Sequence, residues 1–550
     1  LAGPVLSHAW DHVRSGGRPD IAQDLEDGEK RMKKWLVIAI ASVVVVGTLA
    51  FAGYRIYLNE AHDNAMMLVP PNALLYVNAF LNPSTHQKQA LRDLLEKFPA
   101  AGDPEDTQGT LEKYLDDALA SSGVTFSHDI EPWLDREVAI AVLPPLPPAD
   151  SDAAPNVVGY IGTTDADQSM AFVERLNAHE DVATDPESYR GIDYELTEDD
   201  DAAFGVLDDF LLVASSEESF RKAVDASEGD SLATSTAFKE AIAPLPDDRI
   251  VLSYASLPGL FGALKASGEI SADVEETVPQ IRDLSPVAAS ASLRPDGVVF
   301  DLAYRSERPD GAADDGVLAM VPRASWGAIG VHDLGATVKQ RLELLSGRFG
   351  VLGSAAIAGK IKSFTGLGLQ DEILSWMDDG AVFFEGKKEL RGGAVVGSTD
   401  GRKSAAAVLT FGRSLDAAGT AVGIGDHDEN HARIAFTRPD PPTLVQLIAV
   451  PDSVWLALGE TSNEIGSTSI DDSPTYRAAK EAMGEFSMIG YADVDGARTF
   501  GENLFVKENG PLPAVYTTKV APNVDPVSFV GLGARTAGGV TSYRLMIGVE

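Results

Sequence analysis

Short apolar or alternating runs recur along most of the chain: LLYVNAF (74–80), EVAIAVL (137–143), VVGYIG (157–162), FLLVAS (210–215), IVLSYAS (250–256) and VVFDLAY (298–304). Their length and alternation predict strands. Two pairs, AAFGVLDDFLLVAS (202–215) and SLRPDGVVFDLAY (292–304), are joined by turns too short for a crossover helix, so they pair antiparallel. Helix-period runs lie between strands, as at Leu91, Leu94, Leu95 and Phe98, and again at Val338, Leu342 and Leu345. Ser215 and Glu218 form a capping-box pattern. Ser235 and Ser473 read as N-caps, with Pro474 at the first helical position. The expected fold is α+β: mostly antiparallel sheet, with helices packed on one face.

One run breaks this pattern. Trp35 to Tyr54, WLVIAIASVVVVGTLAFAGY, carries no charge, and IYL extends it past Arg55. About twenty helical residues cross the roughly 30 Å hydrocarbon layer, so 35–57 predicts a transmembrane helix. Trp35, Tyr54 and Tyr57 fall at its two ends, and Lys30, Arg31, Lys33 and Lys34 precede it. The positive-inside bias then puts residues 1–34 in the cytoplasm and the bulk of the chain outside the cell membrane. Ala50-Phe51-Ala52 would suit a cleaved signal peptide. The long apolar stretch and the tail before it favour an uncleaved anchor.

The chain also resembles itself. VPPNALLYVNAF (69–80) matches VPRASWGAIGV (321–331), and IEPWLDREVAIAV (130–142) matches ILSWMDDGAVFFE (373–385), aligning Trp133 with Trp376. FLLVASSEESF matches VWLALGETSNEI (454–465), and IVLSYASL matches SMIGYADV (487–494), pairing Tyr254 with Tyr491. The matches keep one order at offsets near 235–252. They divide the chain into a tail (1–34) with the Gly, Pro and charge content of a disordered segment, the membrane helix (35–57), a first repeat domain (66–305), a linker (306–317) and a second repeat domain (318–550).

Composition adds sign. The formal charge is −39, and the six acids and six bases of 1–34 cancel, so the imbalance lies downstream. Such a field repels nucleic acid, which is not an expected partner. With no cysteine, disulfides, thiolate metal sites and cysteine nucleophiles are excluded.

LVPPNALLYVNAFLNPS (68–84), QKQALRDLLEKFP (87–99) and the W-L-D-x-E-V-A-I-A segment at 133–141, placed after a lone apolar segment, resemble the bacterial membrane-anchored family known only as domain of unknown function 3352. That resemblance implies an envelope location and transfers no catalytic residue.

The densest set of metal-type side chains is Asp426-His427-Asp428-Glu429-Asn430-His431. Asp426, His427, Asp428 and His431 are the metal candidates, since His at i and i+4 converge on a helix. The flanks AVGIG and ARIAF instead predict a polar turn between strands. Glu198-Asp199-Asp200-Asp201 lacks the spacing of a calcium loop. Gly366-Leu367-Gly368 and Gly423-Ile424-Gly425 complete no nucleotide fingerprint. His128 and His332 have no evident partner in the sequence. No cofactor is expected. These features imply a non-enzymatic envelope protein that binds a partner protein or a lipid-like apolar ligand across the interface between repeats. Two other roles stay open: a structural or assembly factor of a membrane complex, and a metal-assisted extracytoplasmic hydrolase using His427 and His431.

Overall fold

A computed structural model describes residues 63–99, 116, 124–149, 151, 153–179, 181–198, 202–271, 284–306, 311–312, 316–349, 351–439, 442–459 and 468–550. The segment 35–57 and the tail before it lie outside them. Among the described residues no helix is long and apolar enough to cross a membrane.

The first half contributes ten strands: β1 (Leu75–Phe80), β2 (Leu134–Leu143), β3 (Asn156–Thr163), β4 (Thr184–Tyr189), β5 (Ile192–Thr197), β6 (Ala203–Leu207), β7 (Phe210–Ala214), β8 (Val251–Ala255), β9 (Val287–Arg294) and β10 (Gly297–Arg305). The second half contributes β11 (Gly327–Val331), β12 (Met377–Glu385), β13 (Arg391–Ser398), β14 (Val422–Ile424), β15 (Ala432–Pro439), β16 (Pro442–Val450), β17 (Ser453–Leu458), β18 (Ser487–Asp493), β19 (Val527–Ala537) and β20 (Val540–Val549). Every pairing is antiparallel. The spatial order in the first half is β4-β5-β6-β7-β3-β2-β1-β8-β9-β10. The second half repeats it strand for strand, from β14 at the outer edge to β20. β10 pairs with β20, so the two halves fuse into one sheet.

Helices lie between the strands: α1 (Thr85–Leu95), α2 (Ala166–His179), α3 (Glu217–Glu228), α4 (Thr236–Ile242), α5 (Leu257–Ser267), α6 (Leu334–Phe349), α7 (Val351–Thr365), α8 (Gly401–Ala417), α9 (Pro474–Met483) and α10 (Val494–Asn509). Ser235 and Ser473 cap α4 and α9, each accepting a backbone N–H three residues on, and Pro474 opens α9 where its missing N–H costs nothing. The cap of α3 is Ser216, which accepts from the Ser219 N–H, one residue past the Ser215 expected from the pattern.

Helices on a single face do not describe this sheet. On one face Tyr76, Tyr160 and Leu212 meet Phe220 of α3 and Phe238 of α4, and Phe383, Trp455 and Tyr491 meet Tyr476 of α9. The opposite face carries Trp133, Ile161, Phe172 and Leu211 with α2, and Trp376, Val408 and Ile434 with α8. Adjacent residues such as Leu211 and Leu212 therefore both enter a core, which is why these strands read as continuous apolar runs. The interval 306–317 is also not free of the sheet, because Gly311 and Ala312 pair with Thr536 and Arg535.

The seam has a definite centre. Nine residue pairs join β10 to β20, and the middle one is Asp301 opposite Arg544. Each residue is the fourth after the start of its strand, so the two occupy equivalent places about a pseudo-two-fold axis. Arg544 Nε and Nη2 donate to the two Asp301 oxygens at 2.8 and 3.1 Å, and Asp301 is 4% exposed. The guanidinium also lies 4.3 Å from the Phe486 ring centroid. Lys97 Nζ donates to Pro295 O and Val549 O, and Arg294 Nη1 donates to Ala482 O, tying the halves together again beside the seam.

Removing one partner of a buried bidentate pair strands the other charge, at about 3 kcal/mol or more. Arg544→Met is expected to lower the free energy of the first unfolding transition in urea by that amount. Asp301→Leu combined with Arg544→Met is expected to recover most of it, as two apolar neighbours on a buried face.

Candidate functional site

Two places combine unusual chemistry with position. The first is a buried polar cluster where the chain enters the first half. Asn78 and Tyr76 on β1 and Glu137 on β2 point into the core face, and the strap from Asp63 to Leu68 closes over them. Tyr76 Oη donates to Asp63 Oδ1 at 2.6 Å, as does the Met66 N–H at 3.2 Å. Glu137 Oε2 accepts from Asn78 Nδ2 at 2.8 Å, and the Asn64 N–H donates to Oε1 at 3.0 Å. Among the described residues, Asp63 Oδ2, Asn78 Oδ1 and Arg249 Nε are buried without a partner.

Burial disfavours charge on both carboxyls, and each disfavours the other by repulsion. Burial raises Asp63, against the opposing hydrogen bonds. Glu137 is pushed up to about 7, first by burial and then by Asp63. Burial also lowers Arg249, whose charge opposes the rise at Asp63. The cluster therefore holds a proton near neutral pH, while the Asn64 and Ala65 N–H groups tie the strap to β2 through the Glu137 oxygens. In sheet register the second-half counterpart of Glu137 is Asp379, one residue before Gly380, and it faces His332 instead of a strap like that from Asp63, so the device belongs to the first half. A charged residue leading the apolar run EVAIAVL was the sequence signal for Glu137; Asp63 left none.

The second place is the face of the sheet opposite Asp301. Successive cross-strand neighbours Phe300, Leu545, Leu532, Gly490, Ile329 and Val382 run over β10, β20, β19, β18, β11 and β12 without a polar side chain. At roughly 4.8 Å per strand the stripe is about 24 Å long. Phe300 is 42%, Ile329 59% and Val382 47% exposed. α10 flanks it, contacting β18 and β19, and Trp326, just before β11, stacks between Phe500 of α10 and Phe384 of β12; α10 too exposes Leu504, Phe505 and Val506. At the seam, Tyr304 and Tyr543 stack beside the stripe at 6.3 Å.

The metal candidates do not share either place. His427, Asp428 and His431 lie in the turn between β14 and β15, all exposed. Asp428 accepts the Asn430 and His431 N–H groups and faces the His431 ring at 2.9 Å, while His427 Nδ1 lies against Gly425 O. Asp426 is exposed in the same turn. Asp428 is thus committed to its own loop, and these hydrogen bonds hold its carboxyl below the usual range. Among the described residues no three His, Asp or Glu side chains gather around a common point. Of the acidic run, Asp199, Asp200 and Asp201 lie outside the described residues.

His332 does have a partner, contrary to expectation. Its Nδ1 lies 3.1 Å from Asp379 Oδ1, an atom that also accepts the Asp333 N–H. Trp133 and Trp376 anchor the cores in the same way in both halves. Each indole donates to the carbonyl four residues before it, Asp129 O or Glu372 O, and each tryptophan carbonyl accepts the N–H of Thr164 or Thr399.

Comparison with known proteins gives a family and no activity. The model of a family described as a protein of unknown function, DUF3352, matches residues 36–514, and the chain belongs to that family. No curated protein matches it. Solved structures entitled crystal form III and crystal form I of TP0453 are similar at 10% and 11% identity. They cover 48% and 46% of this chain and 89% and 82% of their own, with TM-scores of 0.23 and 0.22.

The carboxyl cluster predicts a pH dependence with a definite sign. Glu137 binds its proton more tightly folded than unfolded, so its contribution to stability is fully present below about pH 4.5 and is lost as pH rises through about 7. Asp63 acts in the same direction. Against Glu137→Gln, which keeps the uncharged form, the wild-type chain is expected to lose up to about 3 kcal/mol between about pH 5 and pH 8 in urea unfolding. Parallel profiles would show that Glu137 titrates normally.

Proposed function

We propose that this chain is a membrane-anchored extracytoplasmic protein of the cell envelope, held by residues 35–57 with its N-terminus in the cytoplasm, and that it works by binding and not by catalysis. Its two tandem domains form one sheet, and the seam between them presents the binding face. The observation that carries this reading is the apolar stripe from Phe300 to Val382. A contiguous exposed apolar surface of this kind marks a partner or ligand site. The occupant is an apolar, lipid-like ligand or an apolar segment of a partner protein. A role as an assembly factor uses the same face for a protein.

Native mass spectrometry on the chain purified from its own host in mild detergent tests the reading. A reproducible added mass is expected. Phe300→Glu combined with Leu545→Lys should lose that mass while leaving the urea midpoint nearly unchanged, since both side chains are already partly in water and opposite charges then face each other across the seam. A bound species that survives both substitutions would place binding elsewhere.

A further inference from the structure

The repeated strand order allows like to be compared with like. Between β1 and the helical turn at Phe126, residues 81–125 carry four bases and eight acids, a net −4. The corresponding interval between β11 and the turn at Leu369, residues 332–368, carries five bases and two acids, a net +3. The chain as a whole is at −39, so everything outside this interval stands at −42. One element has reversed sign against its own counterpart.

That element is the hairpin of α6 and α7, packed against each other. Lys339, Arg341, Lys360 and Lys362 are exposed, and among the described residues none of them enters an ion pair. On α7, Ile357, Lys360, Ile361 and Phe364 recur at i, i+3, i+4 and i+7 and so share a face. Phe364 is 66% exposed although its ring touches Phe411 of α8 at 6.1 Å between centroids, and Ile357 is 37% exposed. A helix that shows apolar residues to water, with lysines at hand and no acid along its length, fits an interface that is apolar inside and anionic at its rim.

We propose that the α6–α7 hairpin docks on anionic headgroups of the bilayer, seating Ile357 and Phe364 among the outer acyl carbons and setting Lys360 and Lys362 on the phosphates. The remaining −42 is repelled by the same surface, so this hairpin is the part of the molecule that an anionic leaflet draws in, and its contact fixes the orientation of the sheet. The proposal concerns residues apart from the apolar stripe and uses the anchor only to keep a bilayer within reach.

The chain has no cysteine, so a single environment-sensitive dye can be placed on the hairpin through Ser363→Cys in the full chain, reconstituted in vesicles of phosphatidylcholine alone or with about 30% phosphatidylglycerol. A blue-shifted emission and quenching by spin-labelled acyl chains are expected only with the anionic lipid. The same dye at Ser188→Cys on the exposed edge strand β4 should respond to neither. Each lysine at an anionic surface adds about fivefold in affinity, so Lys360→Glu with Lys362→Glu should weaken the response by about 25-fold or more. Both side chains are exposed, so the urea midpoint should hold, which separates lost docking from lost folding. Identical spectra in the two vesicle types, or a shift that survives both substitutions, would overturn the proposal. So would a shift produced only by an acidic protein in solution, which would make that protein the occupant. Flotation with zwitterionic vesicles reports the anchor independently of the dye, so failure of the tether is distinguishable from failure of the hairpin.

Discussion

The architecture depends on the pairing of β10 with β20. Without it the molecule would be two ten-stranded sheets, each with a bare inner edge of nine backbone positions able to pair with any chain that met it. Two equivalent edges meeting about an axis would serve equally well between two molecules. The axis residues break that equivalence. A self-paired axis would set Asp against Asp or Arg against Arg on a buried face, whereas the pair within one chain sets Asp301 against Arg544 with both carboxylate oxygens satisfied. The ion pair therefore acts less as a source of net stability than as a choice of partner. Its burial makes the wrong choice costly.

The seam also explains why the two faces of the sheet differ. On the Asp301 side, Val299 and Ala303 enter cores closed over by helices. On the other side the helices sit toward the two ends, α2 far out in the first half and α8 far out in the second, with the centre less covered. Each half places its covering helix over its own outer strands, so joining the inner edges brings two thinly covered regions side by side. The apolar stripe is a consequence of the join: it begins at the seam and continues into the second half. In the first half the strands next to the seam are partly covered, because α1 packs on Leu293 and Val298.

Much of this was legible in the chain. The six strand runs read from the sequence are strands, and the N-caps at Ser235 and Ser473 hold, because period and cap chemistry are local. What failed was tertiary. Runs such as FLLVAS are apolar on consecutive residues, which fits burial on two faces as well as one, and the choice of one face had no local basis. Asp301 and Arg544 each read as an ordinary polar position in an alternating strand. They lie 243 residues apart, and only the pairing of the two last hairpins brings them together. His332 and Asp379 were missed in the same way, through a contact spanning 47 residues. Glu137 sat in plain view at the head of an apolar run, but its proton affinity depends on the strap from Asp63 folding back over it.

Charge bears on the proposed anchoring and docking at two points. A carboxyl pair that keeps a proton near neutral pH closes the point where the chain enters the first half. The strap it holds begins six residues after the end of the apolar segment 35–57. If residues 35–57 are the proposed anchor, loosening that strap lengthens the tether, since Asn64 and Ala65 are bound to Glu137 by their own N–H groups while Glu137 stays paired in β2. Under the proposed anchoring, a longer tether changes reach, and reach decides whether the basic hairpin in the second half can make the bilayer contact proposed for it. In that proposal, proton occupancy at the strap and headgroup contact at the hairpin act on the two halves of one continuous sheet, and the change they require is confined to the strap.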